Sequence, residues 1–185
     1  PKGDRLQPAK LTPQLNSEHV TIAERMKEAG YVSGFFGKWH IAPSSGKGGK
    51  VAYPVSPTGQ GFDLNIGGTS YGGPPSFFSP YRNAELSDGP EGQYLPDRLV
   101  QETIDFINQK KGQSWMAHLW FYTVHWPMQA PEELLKKYAG RKGPGLNDTR
   151  YGAMIEGMDL AIGRLLSALK KMGLEEDTLV IFTSD

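Results

Sequence analysis

A lysine and two histidines follow two apolar segments that the sequence predicts as β-strands. Residues 31–36 lead into Lys38 and His40, and residues 115–124 lead into His125. In an open α/β sheet, ligands bind beyond the carboxyl ends of the strands. We therefore expect these three side chains to share one pocket, where a cation beside imidazoles would bind an oxyanion such as sulfate or phosphate.

A carboxylate follows a third predicted strand in the same way. Residues 178–182 lead into Asp185, a position that suits a hard cation such as calcium or magnesium, although one carboxylate is not a metal site. Plainer interpretations remain open: Lys38 and His40 as surface residues of a loop, and His125 as a structural histidine. Trp39 favours a built site, because tryptophan is unusual in a mere surface loop.

Two other motifs suggest chemistry that their surroundings do not support. Residues 68–72 spell the nucleophile elbow G-x-S-x-G, which needs a strand before it and a helix after it, and neither is predicted here. Residues 46–50 resemble a phosphate-binding loop, but Val51 stands where a serine or threonine must hold magnesium. Both stretches are interpreted as loop.

Composition limits the possible classes of function. The 185 residues contain 20 basic and 20 acidic side chains, so no charge excess would attract nucleic acid or an anionic membrane surface. No apolar stretch approaches the roughly 20 residues of a membrane-spanning helix. The absence of cysteine excludes disulfides, thiolate metal sites and a cysteine nucleophile within these residues, and it leaves the cellular compartment open.

The predicted elements alternate between helices and strands. A capping box at Thr21 opens a helix that stops at Gly30, and further helices are predicted over residues 97–110, 131–138 and 149–172. This alternation indicates an α/β fold with a largely parallel sheet flanked by helices. The long segment 41–96 lacks periodicity but is rich in aromatic residues, so we expect it to be ordered and packed near Lys38 and His40.

Six short motifs follow one another along nearly the whole chain. Each is weak by itself, whereas G-K-W-H, H-x-P-x-x-A-P and I-F-T-S-D in this order are a strong signal. In this order the motifs resemble those of the sulfatase family of the alkaline-phosphatase-like fold. They are TIAERMKEAGY at 21–31, GKWH at 37–40, GFD at 61–63, HWPMQAP at 125–131, MDLAIG at 158–163 and TLVIFTSD at 178–185.

The resemblance implies a role for each candidate residue. Lys38 would bind the substrate sulfate and the catalytic aldehyde hydrate, and His40 would be the base that expels sulfate from the sulfated enzyme. His125 would contact the substrate sulfate near its leaving oxygen, and Asp185 would be one ligand of a calcium ion. The segment 88–95 in a glycine- and proline-rich middle looks most like bacterial sulfatases that act on carbohydrates.

Several parts of the family pattern are missing from these residues. The family's nucleophile is a formylglycine, made by a formylglycine-generating enzyme from a C/S-x-P-x-R motif that this chain lacks, and the N-terminal aspartate pair that holds calcium is also absent. We therefore expect an incomplete alkaline-phosphatase-like fold: an internal part of an N-terminal catalytic domain, lacking its first strand and its C-terminal portion. The family also implies a periplasmic or secreted protein.

Two alternatives remain open at this point. A phosphodiesterase or phosphonate monoester hydrolase of the same superfamily would share the fold, the metal and the cationic pocket. A non-catalytic anion- or glycan-binding relative would have kept the sheet and lost the nucleophile. The nucleophile motif distinguishes these possibilities, and it does not lie in this chain.

Overall fold

The computed structural model describes residues 11–141, 143–144 and 147–184. Within them, helices and parallel strands alternate, which confirms the predicted fold class. None of the described helices is long and apolar enough to cross a membrane. The elements are α1 (Ile22–Glu28), β1 (Val32–Gly37), β2 (Leu64–Ile66), α2 (Leu95–Gln109), β3 (Trp115–Trp120), α3 (Glu132–Tyr138), α4 (Thr149–Lys171) and two 3-10 turns at Lys47–Gly49 and Thr58–Gln60.

Strand β1 lies at the centre of a three-stranded sheet with the order β2-β1-β3. Both pairings are parallel, and Gly34 is opposite Leu64 on one side and Ala117 on the other. Successive side chains of a strand point to opposite faces, so the neighbours Phe35 and Phe36 enter different cores. Both rings are fully buried, which anchors β1 from above and below.

Helix α1 begins with the predicted capping box. The Thr21 hydroxyl accepts a hydrogen bond from the Glu24 amide at 3.2 Å, and the Glu24 carboxylate accepts one from the Thr21 amide at 2.7 Å. Gly61 packs against the same turn, where an added Cβ would lie 2.8 Å from the Glu24 amide nitrogen. This close approach explains the glycine of the GFD motif in structural terms.

The aspartate of that motif also has a structural role. Asp63 accepts hydrogen bonds from the Ser33 amide at 2.9 Å and from the Lys27 ammonium at 2.6 Å. Burial acts to raise the pKa of Asp63, but the hydrogen bonds from Lys27 and Ser33 together hold that pKa below its ordinary value. The motif therefore links α1, β1 and the start of β2.

Helices α2, α3 and α4 cover the sheet and the following loops. The Asp148 side chain caps α4 by accepting from the Arg150 amide at 3.0 Å. Helix α4 lies close to its predicted bounds, and α2 begins two residues earlier than predicted, with a proline in its first turn. The main core joins these helices to the long loop through residues that include Tyr94, Leu99, Tyr122, Leu134 and Met154.

The prediction of a strand over residues 178–182 is wrong. These residues have no strand conformation, and Leu179 and Phe182 are 85% and 75% exposed. An apolar, β-prone segment becomes a strand only when a neighbouring strand edge supplies hydrogen bonds, and no described element pairs with this one. Asp185, the candidate metal ligand that follows it, lies outside the described residues.

The strand predicted over residues 115–124 is shorter and less covered than expected. Strand β3 ends at Trp120 and is partly exposed throughout, because β1 pairs with only one of its edges. The Nδ1 atom of His118, on this strand, is buried without a hydrogen-bond partner among the described residues. Burial lowers the pKa of His118, which favours the neutral ring.

The long segment 41–96 is ordered, as its aromatic content predicts. Phe62, Phe77 and Tyr81 are buried, whereas Tyr53 is 78% exposed. The segment also contains β2, a strand of three residues that hydrophobic periodicity did not reveal. Strand β2 precedes the G-x-S-x-G stretch at residues 68–72, so the prediction that no strand lies before it is wrong. No helix directly follows the stretch, as predicted.

Candidate active site

Strand β1 ends in a close contact with the end of β3. Gly37 has φ of +104°, and an added Cβ would lie 2.0 Å from the carbonyl oxygen of Trp120. The next residue, Lys38, donates its backbone N–H to that same oxygen at 2.8 Å. Only glycine fits this crossing, because a side chain would force the two strand ends apart. Lys38 is thereby fixed at the carboxyl edge of the sheet.

Trp39 anchors the segment that carries the two candidate residues. Its ring is buried, and its indole N–H donates to the Val55 carbonyl at 2.9 Å. The ring stacks on Trp120 and meets Phe35 edge to face. The flanking side chains are more accessible: Lys38 is half-buried and His40 is exposed. The buried indole thus fixes this segment against the core, while Lys38 and His40 lie beyond the end of β1 with accessible side chains.

His40 has a left-handed backbone, with φ of +53°. Its amide donates to the Thr69 carbonyl at 3.0 Å, so the residue is held to the segment that follows β2. Left-handed conformations are uncommon outside glycine and cluster at functional sites. The backbone is therefore not extended through His40.

Two consecutive glycines lie between the two candidate histidines. An added Cβ on Gly72 would lie 2.6 Å from Cε1 of His40, and one on Gly73 would lie 3.4 Å from Cβ of His125. The turn after β3 positions His125, whose amide donates to the Tyr122 carbonyl at 2.9 Å. The structure therefore brings His40 and His125 to the same edge of the sheet, on either side of a glycine pair.

Tyr122 and Thr69 support this arrangement, and the sequence analysis missed both. The Tyr122 hydroxyl donates to the Gly67 carbonyl at 2.9 Å and lies 3.2 Å from the Thr69 hydroxyl. These bonds tie the chain after β3 to the chain after β2. Burial raises the pKa of Tyr122 to about 12, so the phenol stays protonated as a donor. Thr69 follows two glycines, a pattern that could have indicated a turn after a strand. The short strand β2 before those glycines was not predicted, so this signal was missed.

The charges around His40 favour its neutral form. Partial desolvation of the largely exposed His40 ring lowers its pKa, and the positive charge of Lys38 and the nearby His125 lower it further. A neutral imidazole can accept a proton, whereas the lysine supplies a fixed cation. The site can therefore hold an oxyanion and offer a base beside it.

Trp126 adds an aromatic surface next to His125. Its indole is 68% exposed, and the guanidinium of Arg150 lies over the ring at 5.7 Å. The Arg150 side chain is held in turn by Asp148 at 2.6 Å. The exposed ring is a flat apolar surface beside the charged site.

Metal ligands are scarce in this part of the molecule. Among the described residues, no three His, Asp or Glu side chains lie close enough to hold an ion together. Asp159 lies on the exposed side of α4 and belongs to no such group of described residues. The described residues alone do not fit a calcium ion, which takes 6–8 oxygen ligands.

Comparison with known proteins identifies a consistent set of relatives. The model of the family described as Sulfatase matches residues 4–185. The chain is 30% identical to N-acetylgalactosamine-6-sulfatase of Canis lupus familiaris, over 92% of this chain and 33% of that protein. It is 26% identical to an uncharacterized sulfatase of Schizosaccharomyces pombe, over 92% of this chain and 41% of that protein.

A solved structure shows the same fold. The crystal structure of Ps i-CgsB in complex with k-i-k-neocarrahexaose matches with a TM-score of 0.67 and 22% identity, over 90% of this chain and 40% of that one. The chain thus spans about two fifths of the length of this structure and a third to two fifths of the two curated relatives.

Proposed function

Because the chain belongs to the sulfatase family, we propose that it carries the sulfate-binding side of an active site that hydrolyses sulfuric esters. The observation that supports this most strongly is the meeting of His40 and His125 around Gly72 and Gly73, with Lys38 close enough to lower the pKa of His40. A transferring sulfuryl group needs positive charge where negative charge develops.

Each of the three side chains has a distinct task in this proposal. Lys38 binds the sulfate and the aldehyde hydrate of the nucleophile. His40 removes the proton of the second hydroxyl of the sulfated hydrate, which expels sulfate and regenerates the aldehyde. His125 contacts the substrate sulfate near its leaving oxygen and assists the first transfer. The lowered pKa of His40 suits it to act as a general base near neutral pH.

The remaining chemistry belongs to residues outside this chain. We propose that residues 1–185 are part of the N-terminal catalytic domain of a longer protein that supplies the formylglycine, made by a formylglycine-generating enzyme. Calcium would orient the sulfate there, with Asp185 as one ligand. The described residues by themselves do not form a calcium site. A periplasmic or secreted location is part of the same proposal.

The proposed substrate is a sulfated carbohydrate. One relative is named for N-acetylgalactosamine-6-sulfate, and a protein of the same fold was crystallised with k-i-k-neocarrahexaose. The exposed ring of Trp126 beside His125 offers an apolar surface on which a sugar could lie.

The division of roles can be tested in the full-length protein. After brief exposure to an aryl sulfate, His40→Ala should accumulate a covalently sulfated enzyme, visible as added mass in intact-protein mass spectrometry. His125→Ala should slow the first transfer and carry no added mass. If neither variant carries the mass, or only His125→Ala does, the assigned roles are wrong.

Two further measurements test the reaction and its metal. The full-length protein should hydrolyse an aryl sulfate faster than the corresponding phosphate diester or phosphonate monoester, whereas the 185-residue chain alone should show no turnover above its His125→Ala variant. A preference for the phosphorus substrates would favour the phosphodiesterase alternative.

Calcium binding to the full-length protein should weaken on Asp185→Ala, and an unchanged affinity would remove Asp185 from the ligand set.

A further inference from the structure

A second basic pocket lies away from the histidines. It is an open depression of about 500 Å3, and its lining residues include the exposed Lys47 and Arg82. Among the described residues, neither cation forms an ion pair or a side-chain hydrogen bond. The one carboxylate in the lining, Asp88, already accepts from the Tyr81 amide at 2.6 Å. The pocket therefore offers two cations that pair with no side chain in the part of the chain that the structure describes.

The backbone of Arg82 is held in an unusual conformation. Its φ is +55°, in the left-handed region that arginine seldom adopts. The next residue, Asn83, fixes this turn: its side-chain amide donates to the Gly67 carbonyl at 3.0 Å, and its side-chain oxygen accepts from the Glu85 amide at 2.8 Å. Arg82 is thus tied to the carboxyl end of β2, the edge of the sheet that carries the candidate active site.

The turn that carries Lys47 is fixed against the same segment. The Gly48 carbonyl accepts from the Ala84 amide at 3.0 Å. An added Cβ on Gly48 would lie 2.8 Å from that amide nitrogen, so the turn must come this close. Both cations are exposed, and the backbone segments that carry them are bonded to each other.

Tyr71 connects this pocket to the candidate active site. Its ring contacts Gly49, where an added Cβ would lie 3.0 Å away, and Gly72, the next residue along the chain, contacts the ring of His40. The Gly49 carbonyl also accepts from the Ser70 amide at 2.9 Å. A continuous strip of backbone thus leads from Lys47 to His40.

We propose that Lys47 and Arg82 bind a second anionic substituent of a sugar chain whose reacting sulfate lies at Lys38, His40 and His125. This inference rests on the proposed function and narrows its substrate to polyanionic carbohydrates. Arginine binds the planar or trigonal oxygens of a carboxylate or sulfate with two parallel hydrogen bonds, and lysine adds a point charge. The substituent is thus a sulfate ester or a uronate carboxylate.

Two probes distinguish these sources of negative charge. One is a carrageenan hexasaccharide, which carries sulfate esters and no carboxylate, and the other is an unsulfated hexagalacturonate. Binding of each to the 185-residue chain is measured by isothermal titration calorimetry at low salt. Arg82→Asn removes the cation and keeps a residue that tolerates left-handed φ, and Lys47→Gln removes the other cation. The double variant Lys170→Gln/Lys171→Gln, on the exposed end of α4, is the charge-matched control.

The double variant should raise the dissociation constant of at least one probe about tenfold, since an exposed ion pair is worth up to about fivefold in affinity. The control should change it less than twofold, and the unfolding midpoints should agree. The probe whose binding weakens identifies the substituent. Binding of both probes within twofold of wild type by the double variant would overturn the proposal, as would a wild-type chain that binds neither.

Turnover plays no part in this measurement, so the two proposals can fail separately. If the 185-residue chain binds a probe through Lys47 and Arg82 but the full-length protein hydrolyses no sulfate ester, the proposed function is overturned and an anionic-glycan pocket remains. A protein that hydrolyses aryl sulfates, while the double variant binds both probes normally, would overturn the second site alone.

Discussion

Two apolar segments of this chain, β1 and residues 178–182, differ in burial and in backbone hydrogen bonding. Strand β1 is hydrogen-bonded along both edges, and Phe35 within it is fully buried between Trp39, Phe62 and Trp120. Residues 178–182 are more apolar and richer in β-branched side chains than β1, but they are exposed and pair with no described strand. The first segment holds Lys38 at the end of β3, whereas the second has no such contact with a described strand.

The difference shows that a strand fixes the residues at its end only when neighbouring strands hydrogen-bond to its backbone. Hydrophobicity favours burial of both segments, but burial of a strand also requires partners for its backbone N–H and C=O groups. Strand β1 has these partners in β2 and β3. Its candidate residues are consequently held by backbone contacts at Trp120 and Thr69 rather than by propensity.

The largest contrast is expected from one phenylalanine in each segment. Phe35→Ala should lower the free energy of unfolding by about 3–5 kcal/mol, because it empties a fully buried ring site. Phe182→Ala should change it by no more than about 0.5 kcal/mol, because that ring is exposed. Urea denaturation followed by tryptophan fluorescence measures both. A loss above about 2 kcal/mol for Phe182→Ala would mean that residues 178–182 are packed in solution.

The close crossing at the end of β1 gives the next largest effect. Gly37→Ala should lower the free energy of unfolding, measured by the same urea denaturation, by about 3 kcal/mol or more. The added Cβ would lie 2.0 Å from the Trp120 carbonyl oxygen, and alanine is also strained at this positive φ. Gly112→Ala is the matched control, with φ of +94° and nothing within 4 Å of the added Cβ, and should cost about 1–2 kcal/mol. Equal losses in the two variants would show that the crossing relaxes freely.

A smaller effect should appear at the glycine pair. Gly72→Ala should displace the His40 ring, because the added Cβ would lie 2.6 Å from it, while the exposed imidazole can move at a cost of about 1 kcal/mol or less. The imidazole NMR signals of His40 should shift, and those of His19 should not. Gly163→Ala, on an open face of α4, provides the comparison and should leave both histidines unchanged.

The smallest effect concerns the protonation of His40. Its pKa is lowered from 6.5 by partial desolvation first, then by Lys38 and His125, so Lys38→Gln should raise it part of the way back. A histidine with a lowered pKa binds fewer protons folded than unfolded, so its contribution to stability falls as pH drops from 6.5 through the folded pKa. Lys38→Gln should narrow the pH range over which this contribution to stability is lost.

The titration is followed by NMR of the His40 ring between pH 4 and pH 8 at low ionic strength, roughly the range over which an imidazole changes charge. Lys171→Gln removes an equal charge at the far end of α4 and should leave the His40 titration unchanged. If Lys38→Gln lowers the pKa of His40 or leaves it unaltered, the lysine does not act on the imidazole through its charge.

Local signals in the sequence predicted most of the helices and the central strand. The Thr21 capping box, the apolar period of α4 and the apolar run of β1 depend on residues close together in the chain, and all were confirmed. Strand β2 could not be found in this way. It has three residues, too few for a period, and it forms because Gly34, Phe35 and Phe36 lie beside it.

The candidate site divides along the same line. Residue type and strand order were enough to nominate Lys38, His40 and His125, because the carboxyl ends of parallel strands meet at one edge of a sheet. Which residues support them could not be predicted: Tyr122 and Thr69 lie 53 positions apart and are joined by a hydrogen bond that no local pattern encodes. The roles of the three side chains and of Asp185 stay predictions.

The sequence by itself determined the fold class, the family motifs and the three side chains nominated for chemistry, because each depends on short-range order along the chain. Only the tertiary structure decided that β1 is central, that residues 178–182 form no strand within the described part, and that a glycine pair separates His40 from His125. These features depend on close approach between distant segments, where a single Cβ or an unpaired strand edge determines the outcome.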